Sequence, residues 1–111
     1  MYDQLTILIF VLFAHYVADF SLQNPFMAEY KSKFWYVMVA HCMVYTGVIC
    51  ATLLFFGIFA LWMVPFLFIG HFVMDEWKCH HANVPENWWM IYPDQAWHII
   101  QLIFVVFVVI V

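Results

Sequence analysis

Across residues 34–70 the chain carries no Asp, Glu, Lys or Arg. As one α-helix, at about 1.5 Å of rise per residue, that run would be about 55 Å long, nearly twice the roughly 30 Å hydrocarbon thickness of a bilayer. It must therefore fold back on itself. Gly57 lies near its middle and takes the backbone angles that a tight reversal needs, which predicts two crossings over about 34–55 and 58–77. Pro65 falls inside the second of these, where it removes a backbone donor and is expected to kink the helix.

The same length rule finds crossings over about 5–22 and 94–111. A composition of 68% hydrophobic, 23% aromatic and 9% charged residues lies outside that of soluble domains and fits an integral membrane protein. A formal charge of −4, with three basic residues in all, excludes nucleic acid as a partner. The predicted fold is all-α: a polytopic membrane protein, one domain over 1–111, with four transmembrane helices in a bundle and polar loops at 23–33 and 78–93. Cys42, Cys50 and Cys79 show no zinc-ligand spacing and read as small hydrophobes without a disulfide role.

Both polar loops fall on one side of such a bundle, and Lys31, Lys33 and Lys78 all lie there. The positive-inside tendency makes that side cytoplasmic and puts both termini outside. Trp35, Tyr36, Trp77, Trp88, Trp89, Tyr92 and Trp97 gather near the same edge, as amphipathic rings do at headgroup level.

Within this greasy chain the sequence HYVAD, with His15 and Asp19, is answered by HFVMD, with His71 and Asp75. One interval separates both pairs, and an interval one residue longer separates His41 from His98. Each half then reads as a helix ending in HxxxD, a polar loop, and a helix beginning near a histidine. The first helices of both halves point the same way, so the repeat is a parallel one, with its pseudo-two-fold axis along the membrane normal. Counted from the polar-loop end, the four histidines lie roughly 6 to 11 Å below the edge, and each Asp shares a helix face with the His four residues before it.

Ionisable side chains in a bilayer are costly and normally face the bundle interior, where they find one another. Imidazole and carboxylate together suit zinc, favoured here, or manganese or iron, and inward-facing His and acidic side chains on facing helices build two-metal sites in bundles. His15, Asp19, His41, His71, Asp75 and His98 are the candidate ligands of a divalent metal. Six are too many for one open zinc, which keeps three protein ligands and a water, so either two ions bind or some residues act from behind the ligands. A proton relay or a purely hydrogen-bonded cluster is the competing reading.

Asp94 is a candidate orienter of His98 or base for a metal-bound water, and equally an N-terminal cap and dipole partner of its helix. Lys78 and Lys31 can grip a phosphate or headgroup, although lysines that set topology explain them as well. Gln23, Lys31 and Gln95 are placed to touch substrate or to support the ligands. The triplet Cys79, His80, His81 and the acids Glu29, Glu76 and Glu86 read as solvated loop groups.

The leading functional expectation is a metal-dependent hydrolase, with a lipid or lipid-linked phosphoester or acyl substrate reached from the bilayer at the cytoplasmic interface. The alternatives are a divalent-cation or proton transporter or channel built on the same cluster, and a structural or host-interaction protein fastened by its metal. Association of several copies is permitted.

HYVADFSLQ, a following lysine, a lone histidine, HFVMDEWK and DQAWH together resemble a family of small polytopic membrane proteins of bacteria and their phages, with the pattern HxxxDFxLQ, K, H, HxxxDxxK, DQxxH. The pattern falls here on His15, Asp19, Phe20, Leu22, Gln23, Lys31 or Lys33, His41, His71, Asp75, Lys78, Asp94, Gln95 and His98. The resemblance implies a bacterial inner-membrane location and carries no assigned function. A looser similarity, of motif style, is to predicted membrane-bound metal-dependent hydrolases.

Overall fold

The computed structural model describes residues 3–21, 24–31, 33–81 and 89–108. Gln23, Glu86, Trp88 and the side chains of the Cys79, His80, His81 triplet lie outside the described set. Every regular element among the described residues is helical.

Helix α1 (Gln4–Tyr16) starts at Asp3, whose extended backbone and side-chain oxygen cap it by accepting from the Thr6 amide at 2.7 Å. That hydrogen bond holds the Asp3 carboxyl below the usual carboxylate range. The helix continues as a π-helical turn, Val17–Ser21. The first polar loop contains a short helix α2 (Pro25–Tyr30), with Asn24 as its cap and Pro25 in the first position, where its missing N–H costs nothing. Helix α3 (Trp35–Phe55) stops at a turn in which Gly57 has φ +80°, so the reversal falls where the sequence places it.

Two helix starts differ from the sequence expectation, and proline explains both. Helix α4 (Met63–His81) begins five residues later than expected, after the irregular stretch 58–62. This start puts Pro65 in the first turn, where backbone donors have no intrahelical partner, so the expected kink is not needed. Helix α5 (Ile91–Val108) begins three residues earlier than expected, which likewise puts Pro93 in the first turn. Asp94 then lies inside that turn, beside the positive end of the helix dipole, and is not the N-terminal cap. The second polar loop is shortened at both ends, because α4 runs on to His81 and α5 starts at Ile91.

Helices α1, α3, α4 and α5 close a ring: α3 packs on α1 and α4, and α5 packs on α4 and α1. The long axis of the molecule, 45 Å, matches a bilayer with its headgroups. Large apolar side chains point outward around it, among them Leu61 at 79% exposure, Phe55 at 75% and Ile100 at 60%. Gln4–Ser21, α3 and α5 are long and apolar enough to cross a membrane, whereas α4 carries Asp75, Glu76 and Lys78 in its last turns. The inside differs between the two ends of the bundle. One half is apolar, built on Ile7, Val11, Ile49, Leu53, Leu67, Leu102 and Val105. The other half buries His15, Asp19, Lys31, His41, His71, Asp75, Asp94 and His98. An apolar exterior around a polar interior is the arrangement that lipid permits.

Helix α5 is fixed against α4 by two side chains one turn apart. Trp97 Nε1 donates to the Gly70 carbonyl and Gln101 Nε2 to the Phe66 carbonyl, both at 3.1 Å. Gly70 permits this, because a Cβ there would collide with the Gln101 amide. Gly70→Ala should displace a buried side chain and lower stability by about 1–3 kcal/mol. Thermal unfolding in detergent measures this, and Gln101→Ala added to Gly70→Ala should recover part of the loss; an unchanged midpoint in the single variant would refute the close contact.

Candidate metal centre

The two HxxxD sequences are built differently. His71 and Asp75 lie in a regular stretch of α4, where four residues advance little more than a turn, and their Nε2 and Oδ2 atoms are 3.2 Å apart. Asp19 instead lies in the π-helical turn, whose wider winding carries it away from His15 and toward the neighbouring helices. Its Oδ1 stands 3.4 Å from His41 Nε2 and 3.6 Å from His71 Nε2. His41, from α3, closes the group: its Nε2 is 3.0 Å from both His71 Nε2 and Asp75 Oδ2.

Donor atoms of Asp19, His41, His71 and Asp75 all lie within 4.8 Å of one another, and all four residues are buried. Four donors placed tetrahedrally about 2.1 Å from one ion would stand about 3.4 Å apart. The observed separations of 3.0 to 3.6 Å bracket that value. A second group, Asp19, Asp94 and His98, meets the same criterion and shares Asp19 with the first. His98 Nε2 is 3.1 Å from Asp94 Oδ1, and the His98 ring stacks on His71 with centroids 4.3 Å apart.

His15 has other company and belongs to neither group. Its Nε2 lies 2.8 Å from Gln95 Oε1 and its Nδ1 lies 2.9 Å from the Tyr45 hydroxyl. The Gln95 amide nitrogen meets two carboxylate oxygens, Asp19 Oδ2 at 3.2 Å and Asp94 Oδ2 at 3.0 Å. Ionised carboxylates only accept, so the amide nitrogen must face them and the amide oxygen must face His15. His15 Nε2–H therefore donates to Gln95, and in the neutral imidazole Nδ1 accepts from Tyr45. Both ring nitrogens are thereby used. His15 and Gln95 hold the two carboxylates from behind.

Both candidate lysines enter the cluster. Lys31 is buried and its Nζ lies 3.3 Å from Asp75 Oδ2, while Lys78, its side chain a quarter exposed, lies 3.1 Å from Asp94 Oδ2. Lys33 stays exposed, with its ammonium over the Tyr30 ring. Glu29 is exposed. Cys42 and Cys50 are free thiols.

Two polar atoms at the centre have no hydrogen-bond partner among the described residues: Nδ1 of His71 and Nδ1 of His98. Each such buried atom costs about 1–3 kcal/mol, so the rings are aimed for their Nε2 atoms at the expense of the other side. Sequence reasoning missed Tyr45, which stacks on His71 with centroids 3.9 Å apart, as well as holding His15. The signal was its place four residues after His41, on the same helix face.

These features define a class, an all-helical protein with membrane-length helices and a buried His/Asp cluster able to hold a metal. The chain belongs to a family described as protein of unknown function, DUF3307, whose model matches residues 7–111 and so spans every residue of the cluster. No curated protein and no solved structure matches the chain.

Removing the Tyr45 hydroxyl leaves His15 Nδ1 as an unpaired buried acceptor. Tyr45→Phe should therefore lower stability by about 1–3 kcal/mol. The exposed Tyr16 is the control, and equal midpoints for Tyr45→Phe and Tyr16→Phe in a detergent melt would argue against the hydrogen-bond order given above.

Proposed function

We propose that the chain is a four-span membrane protein and a metal-dependent hydrolase acting on a lipid or lipid-linked substrate. The observation that carries this is the convergence of His41 Nε2, His71 Nε2, Asp75 Oδ2 and an Asp19 oxygen on one buried point, drawn from three helices distant in sequence. On this reading α4 is the fourth span, and its charges are tolerated because Asp75 faces inward among His41, His71 and Lys31. The shared HxxxD and His pattern supports two parallel helix-hairpin repeats, the first altered by its π turn. The lysines of the polar end support a cytoplasmic placement of both loops.

A bound divalent ion, zinc by the donor set, supplies the chemistry: it polarises a phosphoryl or acyl oxygen and lowers the pKa of a water. The chain does the rest. Lys78, partly exposed at the polar end, meets an anionic oxygen of the substrate, and Asp94 and Gln95 fix its position. Lys31 offsets the charge of Asp75 from the other side. His15 acts through Gln95 on the two carboxylates.

Transport by the same cluster is disfavoured by the apolar half of the bundle, where Val11, Ile49, Leu53, Leu67 and Leu102 are fully buried and offer an ion no partner. A purely structural metal is disfavoured by Lys78, whose side chain is a quarter exposed while its ammonium meets the buried Asp94 carboxylate at 3.1 Å, linking the centre to the outside.

Protein purified in mild detergent without chelator should contain near-stoichiometric metal by elemental analysis. His41→Ala should reduce that content at least tenfold. A chelator should abolish hydrolysis across a panel of micellar phosphoesters and acyl esters, and zinc should restore it. A folded wild-type protein without metal would sink the proposal, and divalent-cation uptake into proteoliposomes that His41→Ala removes would replace hydrolysis by transport.

A further inference from the structure

We infer that the centre holds two divalent cations, the second bound by Asp94 and His98 and joined to the first through Asp19 and Asp75. This rests on the metal reading above and extends it from one ion to a pair.

Four observations carry it. First, the two donor groups are not separate sites, because Asp19 belongs to both. Second, Asp75 presents its two oxygens to different histidines: Oδ2 lies 3.0 Å from His41 Nε2 and 3.2 Å from His71 Nε2, whereas Oδ1 lies 3.6 Å from His98 Nε2. A carboxylate whose two oxygens face two imidazole groups has the geometry of a bridge, and paired ions in hydrolytic sites stand about 3.5–4 Å apart. Third, the outer oxygen of Asp94 is taken by Lys78 at 3.1 Å and Gln95 at 3.0 Å, which leaves Oδ1 turned inward, 3.1 Å from His98 Nε2, so that the two second-site donors stand side by side. Fourth, His98 is fully buried, and its Nδ1 has no hydrogen-bond partner among the described residues, so its Nε2 is the working atom.

Donor number agrees with this. Three histidines and three carboxylates are twice what one open zinc uses, while two ions sharing two bridges use them all. The ions also differ in origin. The first draws on α3, α4 and the π turn, and the second adds α5, so its binding ties the last helix into the bundle.

Charge sets the order of filling. Three carboxylates and two ammoniums leave the empty cluster with one negative charge when the histidines are neutral. The first divalent ion turns this to one positive charge, and the second enters against that field. The second ion should therefore bind more weakly.

The test is Mn(II) added to chelator-stripped protein in detergent, with bound metal counted by equilibrium dialysis and the spin state read by low-temperature EPR. Wild type should bind two ions per chain, the second at least tenfold more weakly, and show an exchange-coupled spectrum at saturation. His98→Ala should bind one ion and show an uncoupled six-line signal. His98→Gln serves the same purpose with a polar side chain in case the alanine variant loses its helical circular dichroism. A wild type that saturates at one uncoupled ion, matched by His98→Gln, would overturn the pair and leave the first site standing. A wild type that binds none would overturn the metal reading itself.

Discussion

Three carboxylates buried inside an apolar-faced bundle have to be neutralised where they stand, and the rest of the structure is arranged around that need. Asp75 has Lys31, His41 and His71; Asp94 has Lys78 and His98; Asp19 has His41, His71 and the Gln95 amide. Buried ion pairs seldom repay their desolvation as stability, so a cluster of this size points to a use. The Nδ1 atoms of His71 and His98, without a hydrogen-bond partner among the described residues, point the same way, since a cluster built only for stability would have satisfied them.

The π turn decides how the cluster is divided. Had α1 continued regularly, His15 and Asp19 would have paired as His71 and Asp75 do. Widening the helix by one residue sends Asp19 across to His41 and His71 and leaves His15 to Tyr45 and Gln95. Two similar sequences thus take unlike parts: His71 and Asp75 both enter a donor group, whereas of the first pair Asp19 enters and His15 stands behind. Such insertions recur at functional sites because they re-aim a side chain without ending the helix.

Much of this was legible in the residues. The uncharged run with Gly57 at its middle required a hairpin, and the turn is there. The interval between the HxxxD sequences required that polar groups from separate helices meet, because isolated ones are too costly in lipid. The bounds of α4 and α5 were less legible, since hydropathy does not register that Pro65 and Pro93 are harmless only in a first turn. Tyr45, Gly70 and Gln101 went unnoticed for a different reason. An aromatic, a glycine and an amide within apolar helices have many uses, and only their partners across the bundle select one.

By itself the sequence determined a helical chain suited to lipid, with a reversal near Gly57 and a set of His, Asp and Lys residues that had to find one another, because the energetic penalty for charge in lipid acts on residue type alone. Only the tertiary structure decided which atoms meet. The division between donors and supports depends on helix winding at Val17–Ser21 and on the facing of α5 against α4, and distances of a few tenths of an ångström separate a carboxylate that can ligate from one that is merely neutralised.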